Sequence, residues 1–267
     1  MKSLEQIISP IAVELERFER SFEGALKSDT LPMDRVMRYV TDAKGKRLRP
    51  ILVYLTAKLL GEINDVTHRT ALFVEMIHTA TLIHDDVVDA SDTRRGQPSV
   101  NARWSNASAV LAGDYVLSKA ILLLLNDQDI LQEMMASTAA MSEGELIQNE
   151  MQVHPDWDET LYLEIITRKT AMLLRSCCVG GAISVGTCPD LLRPVANYGL
   201  NLGIVFQMRD DILDADDALS VRLAQKLLPV YLEKTLKALS ALEPLARDHT
   251  AFDSLKALTD FCAVRKS

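Results

Sequence analysis

Six aspartates fall into two copies of one pattern. Asp85, Asp86 and Asp89 lie in TLIHDDVVDA, and Asp210, Asp211 and Asp214 in VFQMRDDILDA, so both read Asp-Asp-x-x-Asp. On a helix, residues i and i+4 share a face, so Asp85 projects with Asp89 and Asp210 with Asp214. Carboxylates crowded on mostly apolar segments repel one another and lose solvation, which calls for a cation. Oxygen donors with no Cys among them suit a hard ion, Mg²⁺ or Mn²⁺. Mg²⁺ takes one or two protein carboxylates and fills its shell with water and phosphate oxygens, so two facing clusters could hold several ions around one diphosphate. A single such pattern is more simply a helix end dipping into solvent. Two copies, each within an apolar helix, are not.

Basic residues complete the constellation. GKRLRP supplies Lys46, Arg47 and Arg49, TRRG supplies Arg94 and Arg95 just after the first acidic cluster, and ITRKTAML places Arg168, Lys169 and Thr170 in an apolar stretch. Guanidinium forks and a Lys point charge are what a diphosphate requires. Any one alone reads as a solvated surface charge. Together they suggest two anion pockets, one bridged by metal and one lined only by basic groups, hence two diphosphate substrates. His78 lies two turns before Asp85 on the same face, where it is either a satisfied core residue or a ligand contact. His84 immediately precedes the Asp pair and could orient it.

The elements that must position these residues read as helices almost throughout. Leu4, Ile7, Ile8, Ile11, Leu15 and Phe18 recur at helical intervals. Pro50 opens and Gly61 closes an apolar segment, the usual asymmetry of helix ends. ALFVEMIHTATLIHDDVVDASD is apolar on nearly all sides, the mark of a central helix. SDTRRGQPS reads as a loop, and no alternating run is convincing as a strand. ETLYLEIITRKTAMLLRSCCVGGAISVG reads as one helix, and amphipathic helices close the chain. With no linker or low-complexity tract, residues 1–267 read as one all-α domain.

Composition narrows the classes. Of 267 residues, 48% are hydrophobic, with 11 Gly and 9 Pro, which excludes a disordered chain and disfavours turn-rich all-β folds. A net charge of -8 argues against a nucleic-acid partner. Cys177, Cys178, Cys188 and Cys262 form no CxxC pair and read as buried small hydrophobes in a reducing compartment. No signal peptide or membrane span is evident, so the expected address is the cytoplasm.

At this point the sequence resembles the all-trans polyprenyl diphosphate synthases, of medium- or long-chain type. GKRLRP, EMIHTATLIHDDVVDASDTRRG, LAGDYVLSKA, EGELIQ, RKTAMLL and GIVFQMRDDILD carry the likeness, in order, from about residue 40 to 217. The resemblance implies a helical bundle around a deep central cavity (the isoprenoid synthase fold), usually a homodimer. It implies head-to-tail condensation of an allylic diphosphate (geranyl, farnesyl or geranylgeranyl) with isopentenyl diphosphate. Two or three Mg²⁺ ions, or Mn²⁺, held by Asp85, Asp89 and Asp210 would bind the allylic diphosphate. Asp86, Asp211 and Asp214 would support the metal shell, and Lys169 completes the catalytic group. Arg94, Lys169, Thr170 and Gln207 would hold the same diphosphate. Lys46, Arg49, His78 and Arg95 would hold the second substrate, with Arg47 of the same motif counted as substrate-binding. Ile77, Ala80 and Thr81, small or aliphatic where bulky aromatics stop growth early in the family, would face the growing tail and permit a long product. Release of that product could involve peripheral membrane contact.

One stretch departs from the family. After Asp214 a loop carrying Lys and Gly normally follows, yet this chain reads DILDADDALSVRLAQK, with no Gly after Gly203. A loop and at least one helix are missing between about 217 and 220. Either mobile residues have been closed over in the numbering, which is the preferred reading, or the segment is truly lacking and the site stands open. Three rivals follow. A non-catalytic or partner-dependent subunit of a heteromeric synthase is supported by the gap and opposed by the intact clusters. A terpene cyclase leaves GKRLRP and Arg95 without purpose. A di-iron bundle needs a second Glu-x-x-His beside Glu75 and His78, and none is found.

Overall fold

The computed structural model describes residues 3–43, 45–153, 158–215 and 217–265. The chain runs through α1 (Leu4–Ile8), α2 (Ala12–Leu26), α3 (Leu31–Asp42), α4 (Leu48–Leu60) and α5 (Asp65–Val88). Strands β1 (Thr93–Arg94) and β2 (Gln97–Pro98) follow, then α6 (Val100–Arg103), α7 (Asn106–Leu123), α8 (Gln128–Val153) and α9 (Glu159–Ile166). A π-helical turn, Thr167–Ala171, leads into α10 (Met172–Ser184), and α11 (Leu192–Asp214), α12 (Ala218–Ser240) and α13 (His249–Val264) complete the chain. The fold is all-α, as the periodicity predicts.

Helix α5 is central because little of its surface is polar. It begins on a capping box in which Asn64 accepts from the Val66 and Thr67 N–H groups. The Asn64 amide also donates to the Ser184 carbonyl at 2.8 Å, tying the start of α5 to the end of α10. Its Leu72, Phe73, Val74, Met76 and Ile77 are buried in a core shared with α4, α7, α10 and α13. A second, smaller apolar cluster joins Tyr162 and Ile166 of α9 to Ile204 and Met208 of α11 and Leu223 and Leu227 of α12.

Two departures from the sequence reading bear on the site. SDTRRGQPS is not a plain loop: β1 and β2 pair as a hairpin, with Arg95 and Gly96 both at positive φ, the twist a two-residue hairpin turn requires. The stretch 159–184 is not one helix, for the π-turn interrupts it. At the stretch that departs from the family, α11 ends at Asp214 and Asp217 caps α12 by accepting from the Ser220 N–H at 2.7 Å, so α11 and α12 pack as a helical hairpin. Cys177, Cys178 and Cys262 are buried free thiols as expected, whereas Cys188 is exposed.

Candidate active site

Both aspartate clusters sit at helix C-termini. Helix α5 ends in a Schellman motif: the Ser91 N–H donates to the Asp86 carbonyl at 2.9 Å, the Ala90 N–H to that of Val87 at 3.3 Å, and Ala90 takes φ 49°. Helix α11 ends at Asp214, followed by Ala215 at φ 54°. A helix C-terminus carries the negative end of the dipole, so the carboxylates add to a field that is already unfavourable to them.

The two ends face a cavity of about 690 Å³ lined by Asp85, Glu145, Lys169, Thr170, Gln207 and Asp210, with Arg49, His78, Thr81 and Arg94 on its walls. On one side it adjoins a chamber of about 540 Å³ lined by Lys46, Arg47, Arg49, His78 and Arg95. On the other lies a chamber of about 770 Å³ lined by Arg94, Lys169, Thr170, Gln207, Asp211 and Asp214. Arg49 and His78 line the first two, and Lys169, Thr170 and Gln207 the first and third. The chamber lined by Lys46, Arg47, Arg49 and Arg95 also includes Glu75, so it is predominantly but not purely basic.

The π-turn does the local positioning. Its wider winding places Lys169 and Thr170 between α8 and α11. Close approach on both sides depends on glycine: a Cβ on Gly144 would come within 2.7 Å of the Lys169 nitrogen, and one on Gly203 within 2.5 Å of the Ala171 Cα. Lys169 Nζ then reaches Glu145 Oε2 at 2.5 Å and Gln148 Oε1 at 3.2 Å.

Electrostatics mark the unmet charge. Burial pushes the Asp85 carboxyl up to about 6, with Glu145 adding to the rise and Lys169 opposing it. Burial likewise raises Asp210 and Asp211. His78 is driven well below its ordinary value by burial and then by Arg49 and Arg95, so it stands as a neutral imidazole able to donate one hydrogen bond. The Glu145 Oε1 and Arg49 Nε atoms are buried without a hydrogen-bond partner. Such orphans fit a ligand that brings cations to the acidic side and an anion to the basic side.

The aspartates are not equivalent. Asp86 is buried and ion-paired with Arg94, whose Nε and Nη2 lie 2.8 and 2.5 Å from one carboxylate oxygen. Asp89 is exposed at the rim of α5. Asp210 is paired with Arg265, which stacks on Phe206 with its guanidinium carbon 4.1 Å from the ring centroid. Asp211 accepts from Tyr162 Oη at 2.6 Å and from Gln207 Nε2 at 2.8 Å. Among the described residues no three acidic, His or Cys side chains converge to enclose an ion by themselves.

Several predicted residues have other immediate partners. Arg47 is buried, held by Glu19 and Glu75 at 2.8 Å each, and lies over the Phe18 and Phe22 rings. It locks α2 to α5 while also lining the basic chamber. Ile77 and Ala80 pack into the core, so of the three chain-length candidates only Thr81 lines the central cavity. Glu145, Tyr162 and Arg265 are site residues that sequence reasoning missed. EGELIQ had singled out the neighbourhood of Glu145. Nothing in the sequence joins Tyr162 or Arg265 to an aspartate some 50 positions away.

A family model described as polyprenyl synthetase matches residues 32–221. The chain belongs to this family. An all-trans-nonaprenyl-diphosphate synthase (geranyl-diphosphate specific) of Rhodobacter capsulatus is 38% identical over 213 residues, covering 79% of this chain and 65% of that protein. An octaprenyl diphosphate synthase of Escherichia coli K12 is 34% identical, covering 79% and 66%. The chain thus spans a little under two thirds of the length of these relatives. The crystal structure of a polyprenyl synthase from Caulobacter crescentus CB15, complexed with calcium and isoprenyl diphosphate, superposes with a TM-score of 0.86 at 26% identity, covering 99% of this chain and 98% of that one. The fold is therefore that of the isoprenoid synthases.

Proposed function

We propose that this protein is a trans-prenyltransferase that elongates an allylic diphosphate by head-to-tail condensation with isopentenyl diphosphate, acting as one domain over residues 1–267. The observation that carries the reading is the pair of acidic helix ends across a cavity from Lys169, beside a second chamber lined by Lys46, Arg49, His78 and Arg95. Asp85 and Asp210 would hold Mg²⁺ (two or three ions, or Mn²⁺), with Asp89 joining at the rim. The metal would supply Lewis-acid stabilisation of the departing diphosphate.

The remaining roles belong to the chain. Lys169, Thr170, Gln207 and Arg94 orient the allylic diphosphate as the leaving group when its C–O bond breaks. Arg49, Lys46, Arg95 and neutral His78 hold isopentenyl diphosphate with its double bond facing the allylic carbon, a proximity effect. The new C–C bond forms, and proton loss to the released diphosphate leaves the trans double bond. The apolar wall of Leu82, Val88, Met141 and Leu146 receives the tail. A medium- or long-chain product fits Thr81 at that wall.

A second reading, a subunit that needs a partner for turnover, is favoured by the direct link from Asp214 to Ala218, which leaves the diphosphate side without the family's basic loop. A homodimer in the cytoplasm is the arrangement expected for the first reading. No helix among the described residues is long and apolar enough to cross a membrane. Incubation of the purified chain with isopentenyl diphosphate, farnesyl diphosphate and Mg²⁺, with product mass read out, tests the proposal. Failure to elongate geranyl, farnesyl or geranylgeranyl diphosphate overturns it, and a chain that binds both diphosphates without turnover supports the second reading. Thr81→Phe is expected to shorten the product, whereas Ala80→Phe overpacks the core and costs stability by about 1–3 kcal/mol.

A further inference from the structure

Asp211 is wired unlike the other five aspartates. One carboxylate oxygen accepts from Tyr162 Oη at 2.6 Å and the other from Gln207 Nε2 at 2.8 Å. The Gln207 Oε1 in turn accepts from Thr170 Oγ1 at 2.7 Å. Thr170, Gln207 and Asp211, three groups assigned above to the diphosphate or its metal, are thus one hydrogen-bonded chain, and Tyr162 ends it.

The Tyr162 ring is 1% exposed and sits in the smaller apolar cluster. Two of its neighbours there, Leu223 and Leu227, come from α12. Helix α12 can reach them because only three residues separate it from α11. Lys226 of α12 also pairs with Glu159, in the first turn of α9, at 2.7 Å. The ring is therefore clamped by the α11–α12 hairpin, and its single donor is committed to Asp211. A buried phenol needs such an acceptor. A carboxylate with a donor on each oxygen is fixed in plane, whereas one donor leaves it free to rotate.

We propose that Tyr162 is a positioning residue that fixes the Asp211 carboxylate, and through Gln207 the Thr170 hydroxyl, in the geometry that receives the metal-bound diphosphate. This rests on the function proposed above. Tyr162 does not touch the reacting atoms. Its effect passes through Asp211, as for the outer partners that orient groups around metals.

Calorimetric titration of Mg²⁺ with inorganic pyrophosphate into the full chain tests this without turnover. Wild type, Tyr162→Phe, Asp211→Asn and the double variant are compared, the Phe ring keeping the packing intact. Tyr162→Phe is expected to weaken pyrophosphate-dependent Mg²⁺ binding about tenfold, and to add nothing once Asp211 is Asn. In turnover it lowers kcat with the KM for isopentenyl diphosphate unchanged. Unaltered Mg²⁺ affinity in Tyr162→Phe, or the same loss on both backgrounds, overturns the assignment and leaves the function standing. A wild-type chain that binds no Mg²⁺ with pyrophosphate overturns both.

Discussion

The two aspartate clusters share a pattern but not a wiring. In the first, Asp86 is locked by a charged partner, Arg94, held on the adjoining hairpin, while Asp85 faces the cavity with no side-chain hydrogen bond among the described residues and a raised affinity for protons. In the second, Asp211 is locked by neutral donors, while Asp210 faces the cavity already paired with Arg265. Each cluster thus has one member fixed by protein partners and one presented to the central cavity. Of these two cavity members, only Asp210 has an ion-pair partner among the described residues. The same three letters therefore serve an open site on α5 and a guarded one on α11.

Substitution of the cavity-facing members tests this most severely. Asp85→Asn is expected to lower kcat by about 10³-fold at saturating Mg²⁺, the scale of losing a main transition-state charge partner. Asp210→Asn should cost about 10²-fold, because the guarded position contributes less of the ground-state metal binding. Steady-state product formation checks both. Equal losses would remove the distinction.

The locking partners come next. Arg94→Met strands the buried Asp86 charge and is expected to destabilise the fold by about 3 kcal/mol in urea denaturation. Arg265→Met frees an Asp210 that still reaches solvent, so its cost should be about 1 kcal/mol, accompanied by tighter Mg²⁺ binding by calorimetry. Weaker Mg²⁺ binding in Arg265→Met would show that the guanidinium assists the metal instead of opposing it.

The smallest effect is in pH dependence. The Asp85 carboxyl titrates at about 6 in the fold against its ordinary 3.8. The metal-free fold therefore binds this proton more tightly than the unfolded chain does. The stability it contributes is present below the ordinary value and is lost as pH rises through about 6. Mg²⁺ competes with the same proton, so its thermal stabilisation should grow across that window. Asp85→Asn should flatten the profile by a degree or two in thermal shift, and Asp210→Asn less, because Arg265 opposes the rise at Asp210.

Much of this was legible in the sequence, and the losses have identifiable causes. The apolar run from Ala71 to Val88 announced a central helix, and the spacing of Asp85 with Asp89 and Asp210 with Asp214 announced a cation-demanding pair of sites. That both clusters end their helices was hidden, because Ala90 and Ala215 occupy left-handed positions where a glycine would have signalled the stop. GKRLRP places Arg47 among the substrate-binding residues, yet Arg47 faces Glu19 and Glu75 while Arg49 faces the cavity. Neighbours in sequence there point to different walls. The hairpin carrying Arg94 was read as a loop because two-residue strands leave no alternation to detect. Tyr162, Glu145 and Arg265 act through tertiary contacts that no local spacing encodes.

The π-turn at Thr167–Ala171 is in effect one residue too many for an α-helix. Removing a single residue from it would let α9 and α10 fuse into one regular helix, rotating everything on one side by about 100° relative to the other. With α10 fixed by the core, Tyr162 would swing away from Asp211 and Lys169 away from Glu145. A length change of one residue here would thus scramble the site while leaving helix content, composition and every motif letter almost as they were, so reading-frame-preserving deletions should be tolerated far less at this turn than in the surface connections between helices.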